Sequence, residues 1–597
     1  MLINFIKARV FVSDLAFRLA SWIPKECRAA VKENCLIQNI FRVIKSREFV
    51  EQHSLKVLSE RQEADLRGLP LPETPLTQHS IQVVIDAQHA SHTDVEVTVN
   101  SILNQDYPAA GISIVGMTSG DWESSRLQNS QCKILQTPVF DQVFWRSTVS
   151  DSKSGEYLMM VHAGDCLSRH SLKAFMCEAV EHPECDAFYS DVIICRGSKP
   201  VAECRPAFCP DYLREYNYIA SSVVFSKGAI ENALFTDYGD VLSAEALNHT
   251  CLLHIAGNHG RVAHLPYFLL EDGNSEGPDA KKFSKLARQV LEELGIREGY
   301  SVEDGEFSEV VRVDWNPPAD APLVSIIIPT KDQLDLLCQC INSVFQKTSW
   351  ENFEIIIVNN QSAQKETQDY LEMVSGFPKV KVLDYSKPFN YSAINNFAVS
   401  KAEGEFIVLL NNDVEVISPD WLSIMLGQAA REEVGCVGAN LFFPDDTHQH
   451  AGVIVGYGGV AGHAHKFFER GHRGYMNRLI CTQNYSAVTA ACLLISKKKF
   501  LELGGLDEVN LTVAFNDVDL CLKAAAKGYL NVWVPGAMLY HHESVSRGSD
   551  KFGEAKIRFL NEIAFMKSRW ITDKFEDRAY NRNLTLKRED FSLKKFF

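Results

Sequence analysis

The sequence predicts an α/β protein with two similar open-sheet units in tandem, flanked by helical extensions. Three observations predict it. Apolar runs of strand length alternate with amphipathic helical stretches. The alternation stops near residue 275 and starts again at Pro322. The two series also share local elements: a helix in which Ser-Ile or Ser-Val precedes Gln (Ser101–Gln105, Ser343–Gln346), and Gly-Glu-aromatic before an apolar strand (Gly155–Tyr157, Gly404–Phe406). Together they imply a duplicated fold with one degraded copy.

Taken in order, residues 1–75 predict a helical region in which Leu2, Phe5, Ile6, Val10, Phe11, Leu15 and Trp22 recur at helical spacing. Basic residues outnumber acidic ones there. Two readings stand: a helical hairpin packed on the next unit, or a membrane-surface helix. A Pro-rich linker (68–78) follows. Over 76–275, strands at 81–87, 112–117, 156–161 and 187–194 and a helix at 95–105 predict a largely parallel sheet. Residues 276–320 form a helical and extended linker. Over 321–550, strands at 324–330, 353–360, 379–385 and 406–413 alternate with helices at 334–347 and 393–402. A helix and polar tail fill 551–597.

The bulk numbers exclude several classes. A chain of 597 residues exceeds one core. A net charge of −16 argues against nucleic acid as a partner. No apolar run approaches the roughly 20 residues of a membrane span, and the N-terminus has no clear signal-cleavage site. The 16 cysteines are scattered without a CxxC pair, which reads as reduced thiols in a cytosolic protein.

In an open α/β sheet, ligands bind beyond the carboxyl ends of the strands. In the second unit those ends carry Pro329, Thr330 and Lys331, then Asn359, then Asn411, Asn412 and Asp413. Turn-forming Asn and Asp explain any one of these ends; three together point to a polar crevice. Asp413 with one imidazole, from His541 or His542, suits Mn²⁺ or Mg²⁺ bound to a diphosphate. A helix begins at Asn516, Asp517 and Asp519. Capping accounts for Asn516 and Asp519.

Residues 323–548 resemble glycosyltransferase family 2, in particular the large bacterial surface-polysaccharide and O-antigen (rhamnosyl-type) transferases. The blocks that carry the resemblance are VSIIIPTKD, EIIIVNNQS, PFNYSAINN, LLNNDVEVISPDWL, QHAGVIVGYGGVAGHAHK, SAVTAACLL, GGLDE, FNDVDLCLK and YHHESVSRG. The first half and YNRNLT (580–585) also resemble that subgroup. The resemblance implies two GT-A domains, the first degenerate, and an inverting, metal-dependent transferase. It implies Asn411–Asp413 as the metal motif, with Asp413 and His541 as ligands, and Asp517 as the base that deprotonates the acceptor. Pro329, Thr330, Lys331, Asn359, Asn396, Asn411 and Asn412 would line the donor nucleotide site, and Gln449, His450, Ala490, Ala491 and Asn516 the sugar or acceptor pocket. The implied partners are a nucleotide sugar, dTDP-rhamnose first, and a lipid-linked or polysaccharide acceptor. The implied place is the cytoplasm, with peripheral association at the inner membrane face. Two positions depart from the pattern: Asn359 stands where Asp is usual, and the metal motif has one acid where two are common. A non-catalytic glycan-binding or scaffolding protein is the alternative; retention of Asp413 and Asp517 argues against it. In the first unit the metal-motif equivalent reads His162, Ala163, Gly164, Asp165, and the base segment holds only Glu245. Asp191 is an orphan acid that could join His162 and Asp165 on a metal.

Overall fold

The computed structural model describes residues 47–70, 80–116 apart from 89, 132–135, 156–196, 199–234, 243–273, 283–542 and 553–595. The N-terminal apolar stripe and most of the Pro-rich linker lie outside the described residues. A helix over Arg47–Arg67 precedes the first sheet. That sheet contains β1 (Ile81–Asp86), β2 (Gly111–Val115), β3 (Cys132–Leu135), β4 (Tyr157–His162), β5 (Cys166–Leu167), β6 (Ala187–Arg196), β7 (Lys199–Glu203), β8 (Val223–Ser226) and β9 (Val262–Asp272). A helix, Lys285–Glu298, and a hairpin of β10 (Tyr300–Asp304) and β11 (Val311–Trp315) lead out of it. The second sheet is built from β12 (Val324–Thr330), β13 (Phe353–Asn359), β14 (Val380–Asp384), β15 (Phe406–Leu410), β16 (Val414–Val416), β17 (Val434–Phe442), β18 (His448–His450), β21 (Gln483–Tyr485), β22 (Cys492–Ser496) and β23 (Leu530–His541). β19 (Val453–Val455) and β20 (Ala461–His463) form a separate ribbon.

The strand orders coincide place by place: β3-β2-β1-β4-β8-β6-β9-β5 in the first sheet and β14-β13-β12-β15-β22-β17-β23-β16 in the second. The sense of each pairing matches too. The β1 and β12 neighbourhoods are parallel, β8 and β22 run antiparallel to both their neighbours, and β9 and β23 return parallel. The expectation of a largely parallel sheet is corrected: both sheets are mixed. An apolar run fits either strand direction, so hydropathy does not report it.

Each sheet is buried on both faces, and the period of two assigns side chains to them. Ile81, Val83 and Ile85 enter one core and Val84 another. Val324, Ile326 and Ile328 likewise enter one core and Ile327 the other.

The shared sequence elements do the same work in both units. Ser101 Oγ accepts from Leu167 N (3.1 Å) and Ser343 Oγ from Val416 N (3.0 Å), each pinning the short edge strand. Glu156 O accepts from Lys227 N and Glu405 O from Lys497 N. Leu167 pairs with Leu270, and Val416 with Leu539. These anchors place Gly164 where the second unit has Asp413, and Asp272 where it has His541.

The C-terminal segment binds the two units together. Asp191 is fully buried and is no orphan. It accepts from Asn581 Nδ2 (2.8 Å to each oxygen), Asn583 Nδ2 (3.0 Å) and Arg205 N (2.9 Å), and meets His264 Nε2 at 2.9 Å. Asp165 is held by backbone amides, accepting from His162 N on its own turn and from Gly273 N just past β9. Asp577 accepts from Val455 N (2.6 Å) and Ser486 Oγ (2.7 Å) in the second unit. The units also meet directly: buried Asp211 pairs with Arg431 and Asn484. Among the described residues, no helix is long and apolar enough to cross a membrane.

Candidate functional site

The ends of β15 and β23 converge because β16 pairs antiparallel with β23, setting Val414 opposite His541. Asp413, just before β16, is thereby carried to the histidine: its Oδ1 stands 3.1 Å from His541 Nε2. Asp413 is buried, in the turn between β15 and β16. Alternation along β23 sends the next side chain away. His542 meets Glu415 Oε2 at 3.3 Å, while its backbone N–H donates to Asp413 O.

The tautomer of His541 is set by its surroundings. Nδ1 stands 2.6 Å from Gln449 Oε1, an acceptor, so the ring donates there. Nε2 then carries a lone pair and accepts from Asn411 Nδ2 at 3.2 Å. This is the arrangement of a metal-binding histidine held by an outer partner. Two ligands about 2.1 Å from one octahedral ion, at a right angle, stand about 3 Å apart; Asp413 and His541 have that separation. Among the described residues no cluster of three or more His, Cys, Asp or Glu accompanies them. The residues fit a hard divalent cation that takes its other ligands from substrate oxygens and water.

Asp517 sits at the second position of the helix Asn516–Ala526. Its Oδ2 accepts from Ala490 N (2.9 Å) and its Oδ1 from Val518 N (2.8 Å), which aims and holds the carboxylate. The helix is preceded by Phe515 in the left-handed region (φ 60°), a conformation costing about 1–3 kcal/mol that the surroundings must hold. They do so through Glu562 of the helix Gly553–Trp570, which accepts from Thr512 Oγ1, Val513 N and Ala514 N. Capping does not explain Asn516 or Asp519. No side chain caps this helix. Asn516 Nδ2 donates to Val513 O, and Asp519 takes Trp570 Nε1 with Lys523 and Arg569 nearby.

A cavity of about 160 Å³ collects these groups. Asn411, Gln449, Ala490, Ala491, Asn516, Asp517 and His541 all line it, with Tyr391, His463, Thr489 and Phe515. The last four were not singled out in the sequence, although all of them lie inside the blocks that carry the resemblance. Tyr391 donates to Asn411 Oδ1 (3.2 Å) and Ala490 O (3.1 Å), bracing the wall. His450 is fully buried behind it.

Pro329, Thr330, Lys331 and Asn359 form a second group, at the ends of β12 and β13. Asn412 joins the two groups, donating to Thr330 Oγ1 at 3.1 Å. Asn359 Nδ2 donates to Asp384 Oδ1 at 2.9 Å, so a carboxylate from β14 stands beside the position where the family's own is missing. Asn396 belongs to neither group. Its amide holds Leu506 O, Leu506 N and Glu508 Oε1, shaping the turn at Gly505.

The chain is 41% identical over 452 residues to an uncharacterised Sinorhizobium fredii protein, y4gI, covering 74% of this chain and 49% of that one. It is 33% identical over 455 residues to the O-antigen biosynthesis protein RfbC of Myxococcus xanthus, covering 74% of this chain and 35% of that one. A shorter stretch of 82 residues, 14% of this chain and 26% of the relative, is 30% identical to an N-acetylglucosaminyl-diphospho-decaprenol L-rhamnosyltransferase of Mycobacterium tuberculosis. The chain thus spans about half or less of the length of these relatives. Asp517 and His541 lie beyond the segment that matches a family model, whereas Asp413, Gln449 and Ala490 lie within it. Residues 325–503 of this chain match the family model described as glycosyl transferase family 2.

Proposed function

We propose that the chain transfers a sugar from a nucleotide-diphosphate donor, dTDP-rhamnose being the first candidate, to a hydroxyl of a bacterial surface polysaccharide or lipid-linked oligosaccharide, with inversion at the anomeric carbon. The observation that carries this reading is the meeting of Asp517, Asn411 and His541 on one cavity, with Asp413 against His541. The relatives named for O-antigen biosynthesis and L-rhamnosyl transfer suggest the donor and acceptor classes.

In this reading Asp413 and His541 hold Mn²⁺ or Mg²⁺, with Gln449 fixing the imidazole. A bound divalent cation supplies Lewis-acid neutralisation of the charge that grows on the departing diphosphate. Asp517 accepts the acceptor's hydroxyl proton as the oxygen attacks the anomeric carbon from the face opposite the leaving group. One displacement inverts that centre, and no enzyme nucleophile takes part. Thr330 and Asn359 mark the nucleotide side. The first unit, with Gly164 in the metal position, works as a wall for the acceptor. With a lipid-linked acceptor the chain acts at the cytoplasmic face of the inner membrane as a peripheral protein.

The test is a panel of sugar nucleotides screened by thermal shift with Mn²⁺, since a ligand raises stability by mass action. The donor is expected to stand above the rest, and its product to show inverted anomeric configuration by NMR. No stabilisation by any nucleotide, with or without metal, would overturn the reading.

A further inference from the structure

The cavity wall carries a histidine pair that this chemistry leaves unused. His450, at the end of β18, is fully buried, and His463, at the end of β20, lines the cavity. Their Nδ1 atoms stand 2.9 Å apart with the rings at 86°. Two nitrogens at that distance share one proton, and a neighbour decides which ring owns it. The backbone N–H of Thr489 donates to His450 Nε2 at 3.4 Å. A backbone amide nitrogen only donates, so His450 Nε2 carries a lone pair. The proton of neutral His450 is therefore on Nδ1 and is given to His463 Nδ1. Neutral His463 must then carry its own proton on Nε2, the ring edge turned away from its buried partner. Burial keeps both rings uncharged, pushing His463 down to about 4 and His450 well below its usual value. The backbone adds rigidity, with His463 paired to Val453 across the β19–β20 ribbon.

We propose that His463 is a tautomer-locked hydrogen-bond donor to a hydroxyl oxygen of the transferred sugar, and that His450 is the positioning residue that holds the tautomer. The inference rests on the glycosyl-transfer reading above. It follows from placement. The diphosphate end of the cavity belongs to His541 and Asn411, and the acceptor end to Asp517. A third group on the wall of so small a space meets what lies between, which is the sugar. An uncharged N–H suits a hydroxyl oxygen, whereas a phosphate oxygen draws charged donors. A wall of this kind selects sugars by the hydroxyl it satisfies, because a sugar lacking it leaves the donor unpaired.

The experiment separates the nucleotide from the sugar. Calorimetry of the full chain with Mn²⁺ compares UDP and dTDP with their sugar conjugates, in wild type and in His463→Phe, His450→Leu and His450→Asn. The sugar is expected to add affinity over the bare nucleotide in wild type. His463→Phe and His450→Leu are expected to lose about 3- to 10-fold of that increment, the worth of one neutral hydrogen bond, with bare nucleotide binding unchanged. His450→Asn, which keeps an N–H near the Nδ1 position, is expected to restore it. In ¹⁵N-histidine NMR, His463 is expected to be protonated on Nε2 and His450 on Nδ1. An unchanged sugar increment in His463→Phe, or His463 protonated on Nδ1, overturns the proposal alone. Failure of wild type to bind either nucleotide overturns the functional reading, and the proposal with it.

Discussion

The two sheets share strand order, strand sense and the serine that pins the short edge strand, yet differ at nearly every strand end where chemistry would sit. In the second sheet the ladder brings Asp413 to His541, and the second helix after β22, Asn516–Ala526, carries Asp517 at its second position. In the first, Gly164 and Asp272 take the places of Asp413 and His541, and the corresponding helix opens with Ala244, whose N–H is held by Asp86, and has Glu245 at the second position. The space is also closed there: a Cβ on Gly273 would fall 2.1 Å from Gly164 O. The remaining acids are committed elsewhere, Asp165 to backbone amides and Asp191 to the C-terminal asparagines. The lesson is that apolar strands and edge-strand pins sustain this architecture, whereas a handful of strand-end side chains sustain a reaction site.

The largest expected contrast is between the two helix starts. Asp517→Asn should lower turnover by roughly 10²–10⁴-fold, the usual worth of a general base, with nucleotide binding kept. Glu245→Gln, at the corresponding helix of the first unit, should leave turnover as it was. Steady-state kinetics with the identified donor decide, and near-wild-type turnover in Asp517→Asn removes it from the mechanism. Next come the positions proposed to hold the metal. Asp413→Ala and His541→Ala should each abolish most Mn²⁺-dependent nucleotide binding in calorimetry, and Gln449→Leu should weaken metal affinity by about 10–100-fold. His542→Ala should do less than any of these; if it does more, the choice between the two histidines is wrong. Third, Asp191→Ala should destabilise the fold by about 3–5 kcal/mol, because it leaves buried partners uncompensated, measured by denaturant unfolding. A second glycosidic linkage lost from the product, at unchanged stability, would instead mark the first unit as catalytic.

The smallest effect concerns pH. Glu215 is buried where the two units meet, and burial raises its carboxyl from 4.5 to about 8 against hydrogen bonds from Thr482 and Val313. Its folded-state value lies above its unfolded one. Its contribution to stability is therefore complete below about 4.5 and is lost as pH rises toward about 8. Glu215→Gln should flatten that part of the Tm–pH curve. An identical slope in mutant and wild type would show that Glu215 titrates normally.

Much of the site was legible because strand ends are local. Asn411–Asp413 follow an apolar run directly, and Asp517 stands in the first turn of a helix with a clear apolar face. Other features needed contacts that a linear reading does not contain. Asn396 faces a turn more than a hundred residues away. Asp519 resembles a cap until Trp570 and Arg569 are brought to it. His463 stands in a quoted block, GHAHK, but its role depends on a ring two strands away and on the amide of Thr489. Asp191 looked unemployed because its partners, Asn581 and Asn583, lie far along the chain.

That separation bears on how the molecule is made. The contact between Asp191 and Asn581 spans 390 residues, so it forms only after the tail is synthesised, and long-range closure of this kind is slow. Until then the first unit holds a buried carboxylate with part of its hydrogen-bond shell missing. A chain ending before residue 577 would keep the direct contact of Asp211 with Arg431 and Asn484 yet lack the clasp that the tail adds between the units.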